Sequence, residues 1–202
     1  MKIILLRHAE TTSNKNDKAD SQTDAELTEK GQKDAHNLIS KLEDLKIDVF
    51  IVSPLKRNLQ TIQPFLDTLN DPKVIFSKLT IERNLGDFTG TPIGTFQKYC
   101  DDKNEDKVFC RPKNGESIVD AHERAKKFLQ FLKKNYKNKT ILVCGHKNFL
   151  MCFEILLRDL DIKNYYKYKP LKNTGIREFN QCNTFDKSTK KTNHQLGGVS
   201  NA

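Results

Sequence analysis

The chain reads as an α/β fold on a mostly parallel sheet, and three observations predict it. The runs at 3–6, 49–52 and 141–144 are continuously apolar, as strands buried on both faces are. Segments with apolar residues at helical spacing separate them. A strand, a helix and a second strand in that order imply a parallel crossover.

Each element follows in order. The first strand, residues 2–6, runs straight into Arg7, His8 and Glu10, as a buried strand does when its carboxyl end opens onto a site. Residues 11–26 are rich in Ser, Thr, Asn, Asp and Lys and read as a loop. Thr28 is the expected N-cap of a helix whose buried stripe is Ala35, Leu38, Ile39, Leu42 and Leu45. The strand at 48–52 ends at Ser53-Pro54. A helix from near Leu55 then carries Arg57, Leu59, Ile62, Phe65, Leu66 and Leu69, with Pro64 expected to disturb its middle. Residues 74–76 and 79–82 read as short extended pieces, 83–90 as a glycine-punctuated loop, and 91–114 as a mixture of helix and charged loop. Ser117-x-x-Asp120 is a capping pattern that opens the strongest helix, with Ile118, Ala121, Ala125, Phe128, Leu129 and Leu132 on one face. The strand at 140–144 ends at Gly145-His146, a helix covers about 148–158, and residues 173–179 hold a last edge strand. Residues 1–180 are read as a single domain, and 181–202 as a polar, disordered tail.

Composition narrows the function. With 202 residues, 36% hydrophobic and 30% charged, the chain is expected to be globular. Its net charge of +9 comes from scattered lysines without interleaved aromatics, so a nucleic-acid partner is not expected, and an anionic small substrate accounts for the sign equally well. Five cysteines, Cys100, Cys110, Cys144, Cys152 and Cys182, form no C-x-x-C pair and read as reduced thiols of a cytoplasmic protein. The apolar run at 3–6 is too short for a signal-peptide core, and nothing approaches a membrane span. The oligomeric state is left open.

Three strands end in polar groups of one character: Arg7-His8, Ser53 through Arg57, and Gly145-His146. Carboxyl ends of parallel strands converge on one crevice, so two arginines and two histidines should surround one anion. A histidine beside a guanidinium suits attack on a phosphoryl group better than metal binding, since arginine repels a metal cation.

These residues fall into a larger pattern: Leu6-Arg7-His8-Ala9-Glu10, Asn14, Leu27-Thr28-x-x-Gly31, Ser53-Pro54-Leu55-x-Arg57-x-x-Gln60-Thr61, Glu82-Arg83-x-Leu85-Gly86-x-Phe88-x-Gly90, Gly115-Glu116-Ser117 and Gly145-His146. In that order, over about residues 2–180, the chain resembles the histidine phosphatase superfamily, also called phosphoglycerate mutase-like. The resemblance implies a three-layer α/β/α sandwich and a phosphoric monoester hydrolase of the histidine acid type that needs no metal or cofactor. His8 would be the nucleophile that becomes a phosphohistidine, its other ring nitrogen held by a backbone carbonyl. Arg7, Arg57 and His146 would cradle the phosphoryl oxygens, Asn14 and Asn148 would contact the phosphate, and Glu82 would protonate the leaving oxygen. Substrates would be small phosphorylated metabolites or phosphoproteins.

Ala9 stands where the family usually has glycine, and Lys147 where it has a small residue beside His146; neither departure removes a catalytic group. His36, His122 and His194 match no motif position and read as surface or packing residues. The modest length between Glu82 and His146 favours hydrolysis over a phosphoglycerate mutase, which needs more lid sequence. Mutase activity and a non-catalytic phosphoester-binding module are the alternatives.

Overall fold

The computed structural model describes residues 1–180; the tail expectation for 181–202 lies outside them. The chain runs β1 (Lys2–Arg7), α1 (Thr12–Lys15), α2 (Glu29–His36), α3 (Leu38–Leu42), β2 (Val49–Val52), α4 (Lys56–Leu66), β3 (Val74–Phe76), α5 (Thr95–Asp102), α6 (Ile118–Asn135), β4 (Thr140–Gly145), α7 (Lys147–Leu157) and β5 (Ile176–Asn180). Sheet order is β3-β2-β4-β1-β5. Only β5 is antiparallel, along the β1 edge.

Alternation along the strands divides the core into two. Ile3, Leu5, Ile51, Ile141 and Val143 face α6 and α7, where Phe128, Phe149 and Phe153 pack against one another. Ile4, Leu6, Phe50, Val52 and Leu142 face the other way, onto Leu38, Leu42, Ile62, Phe65 and Leu66 of α3 and α4. Helices on both faces of one sheet make the three-layer sandwich. In register, Arg7 pairs with Gly145, so β1 and β4 release their chains side by side.

Local chemistry sets the element ends. Thr28 accepts from the Gly31 amide at 2.9 Å, as its cap role requires. Gly31 is obligatory, since a Cβ there would lie 2.2 Å from the Glu10 carbonyl oxygen. Ser117 and Asp120 form the reciprocal capping box that opens α6. Pro64 falls in the last turn of α4 rather than its middle.

Four further readings need correction. The single helix expected through Leu45 is two, meeting at Asn37. Residues 11–26 include one helical turn, α1, capped by Thr11. Residues 78–80 form a 3-10 turn instead of extended chain. Cys100 and Cys110 are joined in a disulfide rather than reduced, while Cys144 and Cys152 are free and buried. The bridge sits in a small core with Phe96, flanked by Leu85, Phe88 and Tyr99. No helix among the described residues is long and apolar enough to cross a membrane.

Opening a bridge between cysteines ten residues apart should cost about 2.5 kcal/mol by loop-closure entropy. Thermal melts with and without dithiothreitol should therefore differ by roughly 5–10 °C. Cys100→Ala should melt at one temperature in both buffers; a wild-type melt indifferent to reductant would contradict the bridge.

Candidate active site

The carboxyl ends of β1, β2 and β4 deliver Arg7-His8, Ser53 and Gly145-His146 to one place. Arg7, His8, Asn14, Arg57, Glu82 and Asn148 line a single cavity there, as do Arg83 and Lys147.

His8 is 3% exposed, and its Nδ1 lies 2.8 Å from the Ala9 carbonyl oxygen. A carbonyl only accepts, so Nδ1 carries the hydrogen and Nε2 keeps the lone pair. Burial first, then the charges of Arg57 and Arg7, hold the ring's pKa well below its ordinary value. The imidazole is therefore neutral at neutral pH. The Ala9 amide donates to Thr61 Oγ1 at 2.8 Å, and that hydroxyl donates to the Arg57 carbonyl at 2.6 Å, tying the β1 turn to α4. The Ala9 methyl is accommodated in full burial.

Arg57 is completely buried although it lies on a helix. Its NH2 and NH1 groups donate to the Ser21 and Thr23 carbonyls at 2.8 and 2.5 Å, and its Nε to His146 Nδ1 at 3.2 Å. Arg7 donates to the Leu171 carbonyl at 2.9 Å and keeps a buried Nε without a partner. An arginine with donors left over beside a neutral imidazole is arranged for an oxyanion.

His146 reaches the same cluster from the end of β4. It is fully buried, with ring centroid 5.2 Å from that of His8, but does not line the cavity. Its Nδ1 accepts from Arg57, and its Nε2 faces Ser53 Oγ at 2.7 Å and the Asn58 side-chain amide at 2.8 Å. Burial and the Arg57 charge lower its pKa well below the ordinary value. Its ring is thus held by Arg57, Ser53 and Asn58 next to His8.

Glu82 is 7% exposed and is held by backbone. Its Oε1 accepts from the Arg83 amide at 2.7 Å and the Phe149 amide at 3.2 Å, its Oε2 from the Asn148 amide at 3.2 Å. The carboxylate thus sits on the amino end of α7, where the helix dipole favours it. Arg124 donates to the carbonyls of Leu79, Ile81 and Glu82 and pairs with Glu116, whose Oε2 also accepts from the Asn84 amide. The Gly115-Glu116-Ser117 motif is therefore a clasp on the segment carrying Glu82. Gly86, at φ +51°, crosses that clasp where a Cβ would lie 1.9 Å from the Lys113 carbonyl oxygen.

Asn14 and Asn148 both line the cavity. Asn173, unassigned in the sequence, fixes the first by donating to Asn14 Oδ1 at 3.1 Å and to the His8 carbonyl at 2.9 Å. Tyr165 donates to Asn148 Oδ1 at 2.8 Å, leaving each asparagine's NH2 for a ligand. Asp20, also unassigned, accepts from Thr11 at 2.8 Å, and its charge partly offsets the burial that lowers the pKa of both Arg7 and Arg57. Among the described residues no three His, Cys, Asp or Glu side chains are grouped as a metal site.

A family model of the histidine phosphatase superfamily, branch 1, matches residues 3–189. The chain belongs to that superfamily. It is 28% identical over 172 residues to phosphoserine phosphatase 1 of Hydrogenobacter thermophilus, covering 83% of this chain and 81% of the relative. It is 27% identical over 170 residues to a 2,3-bisphosphoglycerate-dependent phosphoglycerate mutase of Bartonella tribocorum, covering 79% and 82%. A phosphoserine phosphatase mutant from Entamoeba histolytica, solved with phosphoserine, superposes with a TM-score of 0.74 at 28% identity, covering 88% of this chain and 89% of the other. A mycobacterial glucosyl-3-phosphoglycerate phosphatase shares the fold at a TM-score of 0.75 and 20% identity, covering 88% and 91%.

The buried histidines make stability depend on pH in a definite direction. Their folded pKa values lie below the unfolded one, so below about pH 6.5 the unfolded chain binds protons that the native chain does not. Stability present at pH 8 should be lost as pH falls through that value. Melting temperature should decline from pH 7.5 to 5, less steeply in His8→Asn; a flat profile would contradict the buried neutral rings.

Proposed function

We propose that the protein is a phosphomonoesterase of small phosphorylated metabolites, working through a phosphohistidine on His8 without a metal. The observation that carries this reading is the bond from His8 Nδ1 to the Ala9 carbonyl, which leaves Nε2 as a nucleophile in a cavity with Arg7 and Arg57.

His8 Nε2 attacks phosphorus as the ester P–O bond breaks on the opposite side. The electron pair of that bond goes to the leaving oxygen, which takes a proton from the Glu82 carboxylic acid and departs as an alcohol. The Glu82 carboxylate then takes a proton from water, whose oxygen attacks the phosphohistidine. Inorganic phosphate leaves, Nε2 recovers its lone pair, and Glu82 is again protonated. Arg7 and Arg57 bind the equatorial oxygens, where charge accumulates in the transition state. Asn14 and Asn148 add neutral donors, and His146 holds Arg57 in position.

The acid-type assignment rests on these same groups. His8 stays unprotonated under mildly acidic conditions because its pKa is depressed, whereas Glu82 must enter the first step with its proton. Activity should thus persist below pH 6.5, where an ordinary imidazole would be lost. Hydrolysis is favoured over mutase chemistry because α5 and α6 are the only α-helices between Glu82 and His146, a short allowance for a lid that excludes water. We place the enzyme in the cytoplasm on its free thiols Cys144 and Cys152; the Cys100–Cys110 bridge is the observation against that site of action.

Purified protein in EDTA should release phosphate from an alkyl phosphate and from 4-nitrophenyl phosphate, and quenched reactions should contain acid-labile phosphohistidine. His8→Ala should lose activity by at least about 10³-fold, on the scale of losing a catalytic nucleophile. Glu82→Gln should lose about 10²–10⁴-fold on the alkyl ester, and far less on the aryl ester, whose phenolate needs no proton to leave. Equal losses on both esters would contradict the proton-donor role. Isomerisation of a phosphoglycerate faster than phosphate release would establish the mutase instead.

A further inference from the structure

Part of the cavity is built on residues that belong to neither main core. Leu85, Phe88 and Phe96 line it, and they pack with Tyr99 around the Cys100–Cys110 bridge in a cluster of their own. That cluster has three buried members, and two of them are the bridged cysteines; the third is Phe96. Phe96 sits one turn before Cys100 on α5, its ring centroid 5.1 Å from that of Phe88, and the Arg83 guanidinium lies 4.9 Å from its centre. An eight-residue helix with so little apolar area of its own depends on the bridge for its place.

The two sides of the bridge are held differently. Beyond Cys110 the chain is fixed to the segment that follows Glu82: the Asp87 amide donates to the Lys113 carbonyl at 3.2 Å, the Glu116 amide to the Asn84 carbonyl at 2.8 Å, and Arg83 Nε to the Glu116 carbonyl at 2.7 Å. Between the cysteines, residues 101–106 are exposed throughout, and the Lys107–Asp101 ion pair at 2.8 Å faces solvent, where it adds little. That loop can open locally and uncover the sulfurs with both main cores intact. Cys144 and Cys152 lie inside those cores, where burial pushes each thiol pKa up and leaves it unreactive. A bridge in a chain whose other described cysteines stay thiols fits reversible oxidation in a reducing compartment.

We propose that Cys100–Cys110 is a reversible redox-modification site. Closed, it holds Phe88 and Phe96 as a wall against the alcohol part of the substrate; opened by thiol exchange, it releases that wall and weakens substrate binding. The inference rests on the phosphomonoesterase reading and adds a means of control. The reductant is a low-molecular-weight thiol, whose thiolate attacks one sulfur of the bridge. The S–S bond breaks and its electron pair leaves on the other sulfur. A second thiolate displaces the first from the mixed disulfide, and each protein sulfur so released takes a proton from water. Two small thiols thus become one small disulfide as the protein gains two thiols, and oxidation by that disulfide is the reverse. Arg7, His8 and Arg57 are held by Leu171, Ala9, Ser21, Thr23 and His146, none of them in α5, so the grip on phosphate itself stays unchanged.

Calorimetric titrations with benzylphosphonate, which is not hydrolysed, and with inorganic phosphate separate the wall from the anion site. In dithiothreitol, peptide mapping should find Cys100 and Cys110 as thiols. The Kd of benzylphosphonate should then rise by about fivefold or more, the scale of a partly lost apolar contact, while that of phosphate holds within about twofold. KM for 4-nitrophenyl phosphate should follow the phosphonate, and oxidised glutathione should restore every value. Cys100→Ala and Cys110→Ala should bind like the reduced protein in either buffer; the reduced and reoxidised wild type carries the comparison if either variant fails to fold. A bridge that the native protein does not give up to dithiothreitol, a phosphonate Kd indifferent to its opening, or a response to reductant that survives in Cys100→Ala would overturn the redox site. If phosphohistidine is still trapped in that case, the redox site alone has failed. Absence of turnover and of phosphohistidine in both redox states would instead sink the phosphatase reading, with the titrations still deciding the redox site.

Discussion

One hydrogen bond, from His8 Nδ1 to the carbonyl oxygen of the next residue, governs the chemistry available to this molecule. It selects the tautomer, directs Nε2 to the cavity, and does so without a carboxylate that would raise the ring's basicity. The two arginines work in the same direction by penalising a second proton. A nucleophilic imidazole amid guanidinium groups is stable only if it stays neutral, and burial supplies that condition.

That arrangement depends on the sheet. Because Arg7 and Gly145 are in register, His8 and His146 leave adjacent strands together, and Arg57 on α4 reaches across to both. Thr61, one turn beyond Arg57, receives the Ala9 amide and locks the same turn from the helix side. Each support comes from a different segment, so the site has little freedom once the two halves of the core have formed. Glu82 is positioned independently, by the Arg124–Glu116 clasp and the start of α7. His8 and Glu82 thus line one cavity from separate supports.

Much of this was legible in the residues. Buried strands announce themselves by apolar continuity, and polar groups at their carboxyl ends mark a crevice; Arg7, His8, Arg57 and Glu82 were found that way or through the motifs around them. Direction was not legible. His146 leaves its strand as expected, but the contacts of its ring with Arg57, Ser53 and Asn58 are ones no spacing reveals. Asn173 and Asp20 lie in aperiodic loops, where only tertiary contact gives a residue meaning. The helix break at Asn37 was hidden because Ala35, Leu38 and Leu42 continue the apolar stripe across it. The Cys100–Cys110 bridge was hidden because cysteine spacing does not encode pairing.

The most direct test is the protonation state of one ring. Nitrogen-15 NMR of histidine-labelled protein, with His8 assigned by comparison with His8→Asn, should show a neutral imidazole protonated at Nδ1 and bare at Nε2 from pH 8 down to pH 6. A His8 ring protonated at Nε2, or doubly protonated at pH 6.5, would contradict the account at its foundation.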